Sequence, residues 1–296
     1  MIHPPRTRGY LLVLAATLLW SSLGPLTKTL LDGFHIPSVS IAFLRCLLAS
    51  SAMLIGLATL RRDLIKAPPG TLWQLIVLGV FGVGGFYAAL AAGVQLAGIS
   101  LLAVLGYLAP VWVSIIGALF LREPFTARKV VSLGLSLVGA MLAVKIYDLN
   151  AFSLSLPGAI VGLLASFGYA FFAVFSKTLS GKCDPGTMLM YAYGIAAVVL
   201  LPFQGRGLGN ALQPATWPFL AAVIAGPTLG AWSLFSLALR RIPVSNATIV
   251  TSLDVVFSNV LAFAIFGELL QPSQLLGGAL ILAAVILLQI ESPANT

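Results

Sequence analysis

The sequence predicts an all-α integral membrane protein of ten transmembrane helices, arranged as two inverted five-helix repeats. Three observations predict this fold class: an apolar composition, a regular series of long apolar segments, and a similar spacing of those segments in the two halves. Of the 296 residues, 59% are hydrophobic and only 8% are charged, whereas a soluble globular domain carries about 25% charged residues. So few charges would leave a soluble core of this size without a polar surface.

Ten apolar segments separated by charged or turn residues follow one another along the chain. The stretch 67–121 contains no charged residue, and it is long enough for two spans of roughly 20 residues each. Hydrocarbon offers the backbone no hydrogen-bond partner, so the segments are predicted to be helices. They are α1 10–31, α2 36–60, α3 72–95, α4 100–121, α5 128–146, α6 157–179, α7 186–203, α8 217–239, α9 245–266 and α10 273–290.

The positions of the basic residues predict how the helices are oriented. With the N-terminus taken as cytoplasmic, twelve basic residues fall in cytoplasmic segments and only Lys145 and Arg206 fall outside. Positive residues accumulate in cytoplasmic loops, so both termini are predicted to be cytoplasmic, in a cell inner membrane. This explains the net charge of +8 without a nucleic-acid partner. Because α1 is longer than the roughly 7–15 residues of a signal-peptide core, we interpret it as the first membrane helix.

An internal repeat relates the two halves of the chain. A shift of 145 residues places α3–α5 on α8–α10, and it places the Arg122-Glu123 end of α4 on the Gly267-Glu268 end of α9. The repeats are predicted at 10–146 and 157–290, and an odd number of spans in each makes them enter the membrane in opposite senses. Inverted repeats are typical of alternating-access transporters, which bind substrate near the midplane between the halves.

Four short patterns, in order and partly duplicated, indicate a family. They are Trp20-Ser21-Ser22 in α1, Ala42 to Arg45 in α2, Pro110 with Arg122-Glu123 in α4, and Gly267-Glu268 followed by Gly277-Gly278-Ala279 at α9 and α10. With these patterns the chain resembles the drug/metabolite transporter superfamily, in its ten-helix EamA-type branch. The resemblance implies export or exchange of small organic metabolites, most often amino acids and related compounds. Other branches move carboxylates, nucleotide sugars, purines or drugs.

Two ionisable residues are predicted to lie near the middle of the membrane. Arg45 in α2 and Asp254 in α9 are each about nine residues from a helix end, which is roughly 13 Å deep at 1.5 Å per residue. The resemblance places Asp254-Val255 where the family often has proline or glutamate. A charge at this depth faces a partner or a wet cavity. Asp254 is therefore a candidate to bind a substrate ammonium or a coupling proton, with Arg45 as counter-ion or carboxylate clamp. The alternative is a structural ion pair.

Helix α9 is unusually polar for a membrane span, and so much polarity does not face lipid. We expect its polar side chains to line a cavity, and the alternative is hydrogen bonding between helices. The candidates on α9 are Thr248, Thr251, Ser252, Asp254, Ser258 and Asn259.

Aromatic and proline residues supply further candidates. The resemblance implies that α3, α4, α8 and α9 line the pathway, so Tyr87, Tyr107 and Trp232 are cavity candidates, with packing or interfacial anchoring as the alternative. Trp20 and Tyr169 occupy matching places in α1 and α6. Prolines within helices remove a backbone donor and bend the helix, and the hinge candidates are Pro25, Pro110 and Pro227.

The sequence carries no pattern that predicts an enzyme. We find no Walker A loop, no HExxH, no nucleophile motif and no cluster of metal ligands, so no cofactor and no metal are predicted. The leading hypothesis is a secondary transporter with a small-molecule substrate, a lipid bilayer around it and protons as a potential coupling ion. A membrane-embedded lipid enzyme and a non-transporting scaffold are the alternatives. Glu123 and Glu268, at helix ends, are expected to accept hydrogen bonds from the following helix or to pair with a nearby arginine or lysine.

Overall fold

The protein is all-helical over the residues that the structure, a computed structural model, describes: 4–145, 147, 156–204, 208–266 and 271–289. Within these residues nine segments are long and apolar enough to cross a membrane. The predicted α5 is the tenth helix, Ala127–Ala143, whose 17 residues extend about 25 Å. The predicted fold class is confirmed. The nine are α1 Arg6–Gly33, α2 Ser38–Leu60, α3 Leu72–Gly93, α4 Val104–Leu121, α6 Leu156–Leu179, α7 Pro185–Phe203, α8 Pro214–Ala238, α9 Val244–Leu261 and α10 Pro272–Gln289.

The connection between α3 and α4 differs from the predicted loop at 96–99. The backbone stays helical through Phe86–Gly106, yet a methyl group added at Gly93 would lie 2.5 Å from Cδ2 of Leu102. Residues nine apart in a straight helix are about 13.5 Å apart along its axis. The chain therefore reverses between Gly93 and Leu102, near the predicted connection, but through helical turns rather than a loop.

Two helices contain wide, π-helical segments at equivalent places in the two repeats. These are Leu78–Gly85 in α3 and Ile224–Gly230 in α8, and π segments occur frequently at functional sites. Pro227 lies buried inside the α8 segment. Pro110 begins the regular part of α4 at Ala109–Leu121, and Pro25 lies in Leu23–Lys28, just after a break in α1. All three prolines thus lie at irregular points of their helices, and their hinge role stays a prediction.

The helices pack in reciprocal pairs, as an inverted repeat requires. In the first set, α3 packs on α6 while α8 packs on α1, and α4 packs on α6 while α9 packs on α1. In the second set each helix packs on its own counterpart: α2 on α7, α4 on α9 and α5 on α10. This arrangement puts α4 and α9 at the centre of the contact between the halves. The candidate residues Tyr107 and Asp254 lie on these two helices.

The closest helix crossing joins α5 to α10. A methyl group added at Gly139 would lie 2.6 Å from the carbonyl oxygen of Gly277, so only glycine permits this approach. Small residues at a crossing let two membrane helices pack with many van der Waals contacts. The crossing therefore fixes the last helix of each repeat against the other.

We expect Gly139→Val to destabilise the protein, because the added side chain would meet the α10 backbone. Overpacking of this kind costs about 1–3 kcal/mol, which predicts an apparent Tm several degrees lower in detergent. The matched control is Gly134→Val on the same helix, since a methyl group there meets nothing within 4 Å. Equal melting curves for the two variants would contradict the close crossing.

Candidate functional site

The carboxylate of Asp254, whose Oδ1 atom is buried, is the polar group around which the candidate site is built. No protein group hydrogen-bonds to its Oδ1, and no cationic side chain in the described part of the chain pairs with it. An isolated buried charge is costly, so such a group either takes up a proton or binds a cation. Asp254 also lies in the first turn of Leu253–Phe266, where the helix dipole favours a negative charge.

A break in α9 just before Asp254 has a counterpart in α4. The first part of α9 ends at Thr251 and the second begins at Leu253, with Ser252 in the turn between them. In α4 the turn falls at Tyr107 and Leu108, and Tyr107 is the repeat equivalent of Ser252. The two central helices are therefore interrupted at the same level. Each interruption changes the direction in which the following side chains point, compared with a continuous helix.

Two tyrosines accompany Asp254. Tyr107 from α4 and Tyr169 from α6 both lie close enough to Asp254 to interact with its charge, and the phenol of Tyr169 approaches the side chain of Thr251. All four residues keep part of their surface exposed. The structure thus brings three predicted residues together and adds Tyr169, which sequence reasoning noted only as the counterpart of Trp20.

A layer of aromatic rings lies beside this group. The ring centroids of Tyr169 and Trp232 are 5.7 Å apart, those of Trp20 and Trp232 4.7 Å, and those of Trp20 and Tyr169 6.5 Å. Separations of about 4.5–7 Å are those of favourable aromatic pairs. Trp232 is buried, whereas Trp20 and Tyr169 are partly exposed. The layer is formed by side chains of α1, α6 and α8, and it therefore includes residues of both repeats.

Arg45 belongs to a different cluster and does not pair with Asp254. Its Nε donates a hydrogen bond to Oγ1 of Thr228 at 3.1 Å, and its guanidinium carbon lies 4.9 Å from the centroid of the Tyr87 ring. Such a cation–π contact is worth about 2 kcal/mol when it is desolvated. Only 5% of the Arg45 surface is exposed. The predicted counter-ion arrangement with Asp254 is therefore absent, and Tyr87 joins Arg45 rather than the Asp254 group.

The remaining polar residues of α9 divide between packing and the site. Thr248 is fully buried and donates to carbonyls of its own helix at 3.0 and 3.1 Å. Asn259 accepts a hydrogen bond from Gln274 of α10 at 3.3 Å, which is the helix-to-helix contact weighed as the alternative. Ser252 is buried in the break, and Ser258 is partly exposed.

The carboxylate of Glu123 closes the end of the molecule at which α9 begins. It accepts from the backbone N–H of Val244 at 2.7 Å and of Ser245 at 3.3 Å, and also from the Ser245 hydroxyl. Lys129 lies 3.5 Å away as an ion pair, and both side chains are more than 90% buried. Helix starts have N–H groups without partners, and Glu123 satisfies two of them. The pairing with lysine is as expected, but the capped helix is α9 of the other repeat rather than the following helix.

Further hydrogen bonds seal the same end. The Nζ atom of Lys177 donates to the Ile242 carbonyl at 2.9 Å, and Asn246 donates to the Tyr10 hydroxyl at 3.1 Å. Along α9, every residue from Val244 to Val250 is buried except Asn246, whereas residues 256–259 are partly exposed. The Asp254 group is therefore closed toward the start of α9. Glu268 lies outside the described residues.

Comparison with known proteins decides the family. The model of the EamA-like transporter family matches residues 7–145 and 156–290. This chain belongs to that family. The two matched stretches lie close to the predicted repeats, and the irregular central helices described above are therefore those of a membrane transporter.

The relatives of this EamA-like chain are named as transporters. An uncharacterized transporter of Archaeoglobus fulgidus is 28% identical over 84% of this chain and 86% of its own length. A pseudopaline exporter, CntI, of Pseudomonas aeruginosa is 28% identical over 95% of both chains. A probable terminal-alkyne amino-acid exporter of Streptantibioticus cattleyicolor is 24% identical over 91% of this chain and 89% of its own.

A solved crystal structure supports the fold of this EamA-like chain. The two share a TM-score of 0.81 and 16% sequence identity, covering 95% of this chain and 96% of the other. At this identity the likeness shows the fold alone.

A large apolar groove lies elsewhere on the EamA-like fold. It has a volume of about 820 Å³ and runs along α3 and α6, reaching Val39 and Phe203. Its lining includes the exposed Phe81 and Leu164, and none of the predicted site residues line it. In a bilayer these side chains face lipid tails, so we assign the groove to the lipid-facing surface.

We expect Glu123→Ala to loosen the closed end, because the buried N–H groups at the start of α9 would lose their acceptor. A cysteine at Ala247, which is fully buried, in a background with Cys46 and Cys183 changed to alanine, should then react about fivefold faster with N-ethylmaleimide. This corresponds to roughly 1 kcal/mol, the low end of the cost of such a loss. Asp63→Ala is the control, since that carboxylate is exposed and pairs only with Arg61. Equal labelling rates in the two variants would contradict the closing role of Glu123.

Proposed function

We propose that this EamA-family member is a secondary transporter that exports or exchanges small organic metabolites across the inner membrane by alternating access. The observation that carries the proposal is the carboxylate of Asp254, whose Oδ1 atom is buried and accepts no hydrogen bond from the described residues. Asp254 directly follows a break in a central helix between the two repeats. A buried ionisable group without a partner inside a membrane protein is characteristic of a substrate or ion pathway.

The second support is the asymmetry of access along α9. A carrier must expose its site to one side at a time, and here the Glu123 carboxylate closes one end across the repeat boundary. Opening that end requires the start of α9 to move away from Glu123. The breaks at Tyr107 and Ser252 and the π segments of α3 and α8 supply the irregular points about which the halves rock.

The role proposed for Asp254 is to hold a cation during the crossing. A substrate amino group and a proton are the two cations that a carboxylate binds in such a site, and they compete for the same oxygens. Export of an aminated metabolite in exchange for a proton follows directly from this competition. Two of the relatives are named exporters, and these names support the outward direction.

The topology forms part of the proposal. The excess of basic residues between α2 and α3, α4 and α5, α6 and α7, and α8 and α9 supports cytoplasmic positions for these loops and for both termini. The end closed by Glu123 is then the cytoplasmic end. The repeats 10–146 and 157–290 are the two units that move against each other.

We expect Asp254→Asn and Tyr107→Ala to reduce flux at least tenfold in proteoliposomes supplied with a panel of aminated metabolites. The asparagine keeps the size of Asp254 but cannot neutralise a cation, and the alanine removes a ring from the site. Asp63→Asn is the matched control, because it changes an exposed carboxylate outside the membrane helices. Unchanged flux in Asp254→Asn would refute the site, and absence of flux for every member of the panel with wild-type protein would refute the proposed function.

We expect an impermeant maleimide to label a cysteine at Leu212 in intact cells and to label one at Arg61 only after permeabilisation. Both positions are exposed, and the proposal places them on opposite sides of the membrane. The native thiols add little background: Cys46 and Cys183 are buried, and burial raises the pKa of the Cys183 thiol to about 11. If only Arg61→Cys is labelled in intact cells, the topology is the reverse of the one proposed.

A further inference from the structure

We propose that the cargo is an organic amine with an apolar body, bound through its ammonium group, and that an α-carboxylate on the cargo weakens binding. This rests on the proposed function and deepens it by naming the substrate class. It departs from the sequence expectation of an amino-acid carrier in which Arg45 clamps the carboxylate.

The polar atoms around Asp254 match the donors of an ammonium group. The Oδ1 atom of Asp254 is buried and accepts no hydrogen bond from the residues that the structure describes. The hydroxyl of Thr251 donates to the carbonyl of Thr248 at 2.7 Å, so its oxygen keeps acceptor capacity, since a hydroxyl has one donor and two lone pairs. An ammonium group brings three N–H donors and no acceptor. The carboxylate of Asp254 and the hydroxyl of Thr251, which lie on either side of the break at Ser252, are suitable acceptors for two of those donors.

The rings beside Asp254 suit a cation with an apolar body. Tyr169 and Tyr107 lie within range of an electrostatic interaction with the carboxylate. The ring of Tyr169 packs near those of Trp20 and Trp232 at centroid separations of 6.5 and 5.7 Å. Aromatic faces attract ammonium groups electrostatically, and they also cover hydrocarbon. Trp20 and Tyr169 keep exposed surface with which to do so.

Three cationic side chains of the described helices that could serve a substrate carboxylate are already engaged. Arg45 is held by Thr228 and Tyr87 and is 95% buried, since only 5% of its surface is exposed. Lys129 pairs with Glu123, and Lys177 donates to backbone carbonyls at the closed end. In an α-amino acid the carboxylate is attached to the carbon that bears the ammonium group. Binding at Asp254 would then bring two like charges together, which opposes association.

The test compares ligands that differ only at the α-carbon, with wild-type protein in lipid nanodiscs and binding followed by isothermal titration calorimetry. The probes are phenethylamine, phenylalanine and phenylalaninamide, which carry no group, a carboxylate and a neutral amide at that carbon. We expect phenethylamine to bind at least about tenfold more tightly than phenylalanine, with phenylalaninamide close to the amine, because only the carboxylate repels Asp254. Equal or tighter binding of phenylalanine, or no binding of either amine, would overturn the inference.

Variants assign the effect to the site. Tyr169→Leu should weaken the binding of phenethylamine about fivefold, because one cation–π face is lost. Tyr147→Leu changes an exposed tyrosine outside the site, and it should leave the affinity for phenethylamine unchanged. Asp254→Asn should abolish the preference for the amine over phenylalanine. If Asp254→Asn does not fold, Thr251→Val tests the site independently, because it removes one acceptor of the ammonium group. Equal effects of Tyr169→Leu and Tyr147→Leu would overturn the aromatic part of the inference.

The outcomes separate this inference from the proposed function. Flux of other metabolites in proteoliposomes, without amine binding in nanodiscs, leaves the transporter standing and overturns the substrate class. Amine binding with no flux of any metabolite overturns the transporter and leaves the binding site.

Discussion

The carboxylate of Glu123 satisfies backbone N–H groups at the start of α9 that would otherwise lack a partner in an apolar environment. Within a bilayer each unsatisfied backbone group costs several kcal/mol. The start of α9 is therefore held in contact with the Glu123 carboxylate. Because α9 also carries Asp254, this one contact sets which end of the candidate site is closed. It joins the end of a helix in one repeat to the beginning of a helix in the other.

The two repeats share a backbone plan but differ in their chemistry. Their π segments and central breaks fall at equivalent positions, and their helices pack in reciprocal pairs. At the shift of 145 residues, however, Asp254 corresponds to Ala109, and Lys129 to Gln274. The symmetric features include those proposed to let the halves move, and also Glu123, whose counterpart is Glu268. The symmetry is broken at Asp254, which is proposed to bind, and at Lys129, the ion-pair partner of Glu123.

Much of the fold was predictable because hydrocarbon imposes a strong constraint on composition. The helical fold class follows from hydropathy and spacing, and the structure brings together three of the predicted candidates, Tyr107, Thr251 and Asp254. The depth of Asp254 and its role stay predictions. The direction in which a side chain points around its helix axis is not fixed by hydropathy. This is why Arg45 was assigned to the wrong partner, Tyr169 was left out of the site, and the acceptor role of Glu123 was given to the wrong helix. The reversal between α3 and α4 was expected at 96–99, but its helical backbone was not, because hydropathy marks where a span ends and not the conformation of the connection.

The buried ion pair of Glu123 and Lys129 has a consequence for the proposed cycle. If the start of α9 faces the cytoplasm, as proposed, the structure has its inner entrance shut, and export begins only after that entrance opens. In that arrangement a cation that reaches Asp254 from inside the cell binds only to molecules that have opened. The apparent affinity for internal cargo would then be the intrinsic affinity multiplied by the open fraction.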